Sequence, residues 1–440
     1  MRQQAQSISV RKILNERKNF LLIFIIFFSA IVVGFVAVLY NYGFLIGILL
    51  ARKRFNETPE LIFFITPLFF LASSFLCRKL APHAAGGGTE QVMAALRKLS
   101  DPSVRSEGVG EYLGFKVLII KIVSSIVCIS GGGALGREGP VVQISASIFT
   151  LIGERIRKII PSFDLRTWIV AGSAAGMAAA FNTPLAGIVF AIEELSQFHF
   201  EQKFSGFKEK TFFAVIVAGV TAQLITGSYT LFGFPIMHVD WSVSIAIAFV
   251  LISVVCGFCA VLLKILSSKA TKLRNSIKGA AWYFIPVLCG LIVATVSYIW
   301  GVNTFGAGLF TIEASIKSSN AVITYQESIG RFVNVIATMA AGCAGGMLLP
   351  SLAIGAGIGS LGSDFLPLVD ARIFMTAGMA AFLGAILNAP LTAAVLVMEI
   401  TNQRELIFPL FLSTLVASWI FQKCFVEQEE IAKTGIVIPG

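Results

Sequence analysis

The sequence predicts an all-α polytopic membrane protein built from two inverted-topology repeats with broken and re-entrant helices. Three observations carry that reading. Of 440 residues, 56% are apolar and only 13% are charged, about half the charge of an ordinary soluble chain, and the mean hydropathy is +0.84. One 23-residue stretch recurs 206 positions later. Glycine and proline interrupt the apolar runs repeatedly, in both halves of the chain.

The apolar runs supply the spans. Those at 20–39, 61–76, 241–266 and 282–300 are near or above the roughly 20 residues that cross a bilayer, and others surround Glu138, Ala178, Met347 and Val395. The first run follows Arg2, Arg11, Lys12, Arg17 and Lys18, opposed only by Glu16. It is too long for a signal peptide and no small-residue cleavage site follows it. It therefore reads as a retained span with a cytoplasmic N-terminus. The net charge of +10 is then mostly loop asymmetry, at Arg155, Arg157, Lys158 and 269–278. No soluble basic face with interleaved aromatics appears, so no nucleic-acid partner is expected. The division that follows is a basic cytoplasmic segment at 1–18, repeats at 19–227 and 228–424, and a short cytoplasmic tail at 425–440.

Seven cysteines, an odd number sitting mostly in apolar runs, imply no disulfide framework. Cys256-Gly-Phe-Cys259 lies mid-span without a second pair and reads as packing. With three histidines, His83, His199 and His238, no metal site and no cofactor are expected.

The recurring stretch is AGSAAGMAAAFNTPLAGIVFAIE (171–193) against AGMAAFLGAILNAPLTAAVLVME (377–399). Ten of the 23 positions are identical, including Asn182/Asn388, Pro184/Pro390, Leu185/Leu391 and Glu193/Glu399. A weaker match, slightly shifted, sets GREGPVVQIS (136–145) against GMLLPSLAIG (346–355) through the glycine and proline. Two homologous halves in a membrane protein point to a transporter whose binding site lies where the repeats meet. Because Glu193 has a counterpart, it reads as architectural, capping or pairing at a helix end in both halves. Glu194 falls opposite Ile400. An ionisable group present in one half only is the better functional candidate.

Gly131, Gly132, Gly133, Gly136, Gly139-Pro140, Pro184, Gly345-Gly346, Pro350 and Pro390 read as loops feeding helix starts partway through the membrane. Irregular backbone at that depth is tolerated only inside protein or along a wet cavity. Helix starts aimed at one point present unpaired N–H groups and about half a positive charge each. Such a point attracts an anion without a full cation.

Three motifs now stand together: Gly136-Arg137-Glu138-Gly139-Pro140, the Asn182-x-Pro184-Leu185-Ala186-Gly187 run to Glu193-Glu194, and Gly345-Gly346-x-x-x-Pro350. In order and spacing they resemble the CLC family of chloride channels and chloride/proton antiporters, over roughly 20–424. The resemblance implies a homodimer with one anion pathway per subunit, carrying chloride and protons in the bilayer. It makes Glu138 the gating glutamate, which occupies an anion site when ionised and swings out when protonated, and Glu194 the internal proton-transfer acid. The anion ligands would be largely backbone, at Gly87, Gly88, Arg137, Gly139, Met347 and Leu348. Lys121 matches a buried lysine that adds positive potential; a snorkelling lysine at a helix end is the alternative. The chemistry of Glu138 agrees: just before a helix start, a carboxylate and chloride compete for one electropositive spot, and protonation withdraws the carboxylate.

The chain departs from the family in three places. Where Gly-Ser-Gly-Ile-Pro is usual it reads Gly86-Gly87-Gly88-Thr89-Glu90, so a serine hydroxyl is missing. No tyrosine follows Tyr325, so the hydroxyl that narrows the inner mouth is missing too. Leu348 stands where phenylalanine is usual. The expected results are a weaker central site, each hydroxyl contributing about 0.5–1.5 kcal/mol, a wider and wetter inner mouth, and looser coupling.

The sequence therefore reads as a chloride/proton antiporter, with a passive or loosely coupled anion channel as the alternative and fluoride or nitrate less favoured. An enzyme is not expected: His-Glu-x-x-His, Gly-x-Ser-Gly and Gly-x-Gly-Asp do not occur, and Ser173 lies in the repeated helix opposite Met379. With 16 residues after Cys424, no cytosolic nucleotide-binding domains are expected, and a bacterial inner membrane is the expected location.

Overall fold

The computed structural model describes residues 2–100, 108–159, 164–193, 207–227, 231–233, 235, 237–317, 323–366 and 369–426. The first half holds α1 (Arg2–Glu57), α2 (Ile62–Leu80), α3 (Thr89–Ser100), α4 (Gly110–Leu113), α5 (Phe115–Ser130), α6 (Glu138–Ile159), α7 (Leu165–Phe181), α8 (Pro184–Glu193) and α9 (Phe207–Thr226). The second holds α10 (Val243–Ser276), α11 (Phe284–Trp300), α12 (Leu309–Lys317), α13 (Tyr325–Ala341), α14 (Leu348–Ser360), α15 (Ala371–Leu387), α16 (Pro390–Thr401) and α17 (Ile407–Phe421). Among the described residues the only β-type pairings are two isolated bridges, and both lie in the loops that feed helix starts.

Among the described residues, seven stretches are long and apolar enough to span a membrane. Three of them, Gly110–Ser130, Glu209–Thr226 and Arg404–Val426, are not among the four apolar runs read as clear spans. Charge interrupts or shortens each run: Lys116 and Lys121 lie within the first, while Glu209-Lys210 and Arg404-Glu405 open the second and third and leave shorter apolar remainders.

The helix packing repeats. In the first half α6 packs on α7, α7 on α9 and α1 on α9; in the second, α14 packs on α15, α15 on α17 and α10 on α17. The innermost helices, α6, α7, α14 and α15, are buried nearly all round. Glycines let their backbones touch: a Cβ on Gly355 of α14 would run into the Gly378 carbonyl of α15, and one on Gly176 of α7 would meet the Val141 carbonyl of α6 at 3.0 Å. Without water to squeeze out between helices, such close packing is the main adhesive within a bilayer.

The repeated Asn-x-Pro-Leu element has a physical explanation. Asn182 and Asn388 end α7 and α15 in the left-handed conformation, at φ 61° and 53°, which Asn tolerates better than most residues. Pro184 and Pro390 then open α8 and α16. The glutamates at the far ends cross over. Glu399 of α16 accepts hydrogen bonds from the amides of Leu185 (3.3 Å) and Ala186 (2.7 Å) at the start of α8. Glu193 of α8 accepts from Leu391 (2.9 Å) and Thr392 (2.6 Å) at the start of α16. Each half thus caps the other's helix, an arrangement that requires α8 and α16 to lie antiparallel and fixes the inverted relation. Because a lost cap costs about 0.5–2 kcal/mol, Glu399→Ala and Glu193→Ala are each expected to lower the thermal midpoint of the detergent-solubilised protein, and by similar amounts. Unchanged unfolding curves would refute the cross-capping.

Candidate functional site

Three helix starts converge, those of α3, α6 and α14. Their loops are stitched by backbone hydrogen bonds. Gly136 and Gly346 exchange both of theirs, at 2.7 and 2.8 Å, and so form an antiparallel bridge between equivalent positions of the two halves. Gly86 N–H donates to the Cys343 carbonyl and Gly345 N–H to the Gly86 carbonyl, both at 3.0 Å. Glycine is obligatory here. A Cβ on Gly139 would lie 2.5 Å from the Gly87 oxygen and 3.1 Å from Gly346 Cα, and one on Gly346 would lie 2.9 Å from Gly139 N. The three helix starts therefore touch, and their partial positive charges add at one place.

Glu138 opens α6 and is fully buried. Its Oε1 lies 3.6 Å from Arg137 Nε, and its carboxylate approaches its own backbone amide and that of Leu349, in the first turn of α14. Neither oxygen makes a hydrogen bond of full geometry within the protein. A buried carboxylate so placed depends on the Arg137 guanidinium and on the amides of the two helix starts.

Two cavities flank it. One, of about 540 Å³, is lined by Gly87, Gly139, Gly346, Met347 and Leu348. The other, of about 450 Å³, is lined by Arg137 with Asn41, Tyr42 and Glu313. Residues 137 and 139 thus border different cavities, and buried Glu138 lies between them.

The loop before α3 is held from behind. Lys121, fully buried in α5, donates to the carbonyls of Ala84 (3.0 Å) and Gly86 (2.6 Å). It does not snorkel, and carbonyls absorb its charge directly. Gln143 adds bonds to the carbonyls of His83 (2.9 Å) and Tyr112 (3.0 Å). Sequence reading missed the second-half equivalent. Arg331, the seventh residue of α13 as Lys121 is of α5, donates to the carbonyls of Gly306 (2.8 Å) and Asn303 and to Thr311 Oγ1. Gly86 and Gly306 share φ 76°, and Gly88 and Gly308 have φ 116° and 98°. The signal was there as Gly-x-Gly before α3 and before α12, but Lys and Arg do not align by identity.

Gly87, Gly139, Met347 and Leu348 line one cavity. Gly88 does not serve as expected: its N–H donates to Gln91 Oε1 at 2.8 Å, so it is spent as a cap of α3. The side chain of Arg137 faces the smaller cavity. Glu194 lies outside the described residues. At the end of α17, Phe421, Phe425 and Val426 form part of the larger cavity's wall and bring no hydroxyl. The empty side-chain position of Gly87 is bordered by Thr89 Oγ1, 3.9 Å from where a Cβ would stand.

The family model described as "Voltage gated chloride channel" matches residues 68–422. The H(+)/Cl(-) exchange transporter ClcA of Klebsiella pneumoniae subsp. pneumoniae is 30% identical over 376 residues, which covers 82% of this chain and 76% of that protein. The transporter of the same name from Yersinia pseudotuberculosis serotype IB is 28% identical and covers 94% and 87%. Among solved structures, a slow cyanobacterial Cl-/H+ antiporter superposes with a TM-score of 0.75 at 20% identity, over 93% of this chain and 99% of that one. A CLC-type fluoride/proton antiporter gives 0.76 at 20% identity, over 92% and 96%. These two likenesses establish the fold.

Overpacking a rigid junction costs about 1–3 kcal/mol. On that scale Gly139→Ala is expected to weaken halide binding about tenfold, measured by calorimetry on the purified protein. Gly110→Ala, where a Cβ meets nothing within 4 Å, should leave binding unchanged.

Proposed function

This chain belongs to the voltage-gated chloride channel (CLC) family, and from that premise we propose that it is a chloride/proton antiporter, in which Glu138 is the gate and external proton acceptor and Glu194 the internal proton-transfer acid. One observation carries the reading. A fully buried carboxylate lies at a junction of helix starts, between two cavities, where an anion would otherwise bind. The curated relatives are named H(+)/Cl(-) exchange transporters, which supports exchange rather than passive conduction.

In this mechanism the ionised Glu138 side chain fills the anion position. A proton taken up by the carboxylate cancels its charge, and chloride then takes the spot, with amides of the α6 and α14 starts as donors. Release of the proton to the opposite side returns the carboxylate and expels the chloride. Lys121 acts at one remove, by holding the α3 loop in place.

The larger cavity is assigned to the cytoplasmic side. Residues 38–49 of α1 border the smaller cavity, roughly 30–40 Å along the helix from residue 20 at 1.5 Å per residue. The basic segment at 1–18 precedes that point and belongs in the cytoplasm by the positive-inside rule. A bacterial inner membrane is the location proposed with this reading. A homodimer with one pathway per subunit belongs to the same proposal, on the strength of the family membership.

Reconstituted in liposomes under an imposed chloride gradient, the protein is expected to drive protons against their own gradient. Glu138→Gln and Glu194→Gln should each leave chloride movement and stop proton movement. Chloride flux without protons in the unaltered protein would make it a channel, and proton uptake unchanged in either variant would remove that residue's role. Because a hydroxyl is worth about 0.5–1.5 kcal/mol, Gly87→Ser should tighten chloride binding about two- to tenfold in calorimetry.

A further inference from the structure

The larger cavity holds charges that the exchange mechanism leaves unused. Its lining includes three charged side chains, Glu90, Arg97 and Lys264. Lys264 Nζ lies 2.7 Å from Glu90 Oε1, with side-chain exposures of 27% and 64%. The pair joins the two halves, since Glu90 belongs to the first turn of α3 and Lys264 to α10. It borders the same space as Gly87, Gly139 and Met347.

A structural role explains this pair poorly. Ion pairs within reach of water hold elements together only weakly. Lys264 opens the charged end of α10, with Lys269, Lys272 and Arg274 further along the helix, and of these four only Lys264 lines the cavity. The acid is also placed against the anion pathway. A negative charge in the first turn of α3 suits the helix dipole, but it repels any anion approaching the junction. Lys264 cancels that repulsion, and it can do more when the carboxylate moves aside.

We propose that Lys264 is a second anion-docking point, on the wall of the larger cavity and apart from the helix junction, and that Glu90 occupies it as a tethered carboxylate which an incoming halide displaces. The proposal rests on the anion-transport reading above. At both places a side-chain acid stands in for the transported ion, once against helix dipoles and once against a lysine. Arg97 supplies a second positive charge to the same wall.

Opposite signs distinguish docking from scaffolding. If the pair only braces α3 against α10, removing either partner breaks the same contact and both variants change in the same direction. If Lys264 docks the anion, Lys264→Met raises the chloride concentration for half-maximal flux from the larger cavity's side, and Glu90→Gln lowers it. Each shift should be about threefold to tenfold, the scale of one charge acting across a few ångströms of wet space. The experiment uses the full-length protein in liposomes, with ionic strength held constant by an impermeant anion. Crystals grown in bromide give a second readout through anomalous scattering. A bromide peak is expected beside Lys264 Nζ, stronger in Glu90→Gln and absent in Lys264→Met. Shifts of the same sign, or a peak that survives Lys264→Met, would overturn the proposal. If Lys264→Met does not fold, Glu90→Gln decides alone: tighter half-saturation with a stronger peak supports docking, and any other result rejects it. If the unaltered protein moves no chloride, the transport reading fails, while the bromide peak still judges the docking point.

Discussion

The rest of the structure depends on a meeting of helix starts so close that only glycine fits at positions 139 and 346. Gly139 stands within contact distance of both Gly87 and Gly346, and the reciprocal bonds between Gly136 and Gly346 hold the α6 and α14 starts together. Peptide dipoles supply the positive potential. Among the described residues, the cations near the junction are otherwise engaged: Lys121 is absorbed by the carbonyls of Ala84 and Gly86, Arg137 lines the other cavity, and Lys264 is paired with Glu90. That restraint has a function in any pathway for ions, because a site must bind well enough to dehydrate the ion and weakly enough to release it. A bare buried ammonium would hold a halide too tightly to let it leave.

The inverted repeat builds this geometry twice and uses it once. Gly86 N–H bonds to the Cys343 carbonyl, and Gly306 N–H bonds to the Gly132 carbonyl in the mirrored place. Lys121 and Arg331 brace the corresponding loops. The chemistry, however, is concentrated in the first half. With Gly136 matched to Gly346 and Pro140 to Pro350, Arg137 falls opposite Met347 and Glu138 opposite Leu348. The second half contributes backbone donors at the start of α14 and apolar bulk, and the first contributes the side chain that can gain or lose a proton.

What the sequence disclosed, and what it hid, divides along a physical line. Glu193 and Glu399 were legible because the repeat left them in register and a helix end needs an acceptor, so their crossed caps follow from local rules. The glycine-flanked Glu138 was legible for a similar reason: proline and glycine mark a helix start, and a buried acid there needs a purpose. Gly88 was misjudged because its φ of 116° and its bond to Gln91 depend on how one turn closes, which spacing does not reveal. The span containing Lys121 was obscured by the lysine itself, whose partners lie 35 and 37 residues away in sequence. Arg331 was invisible as the partner of Lys121, since the two share a position and a task but not a residue type.

The stitching also bears on what can move. Many transporters with repeats work by rocking one half against the other. Here the halves are joined at the axis by the Gly136–Gly346 pair and by the bonds of Gly86 with Cys343 and Gly345, and at a distance by the crossed glutamates of α8 and α16. Rocking would break these bonds together. Rotation of the Glu138 side chain breaks none of them, since its oxygens make no full hydrogen bond within the protein. With a cavity on either side, a swing of a few ångströms is enough to open one side of the junction while the backbone stays fixed. For the proposed exchange, the moving part is therefore one carboxylate, and the two halves serve as its frame.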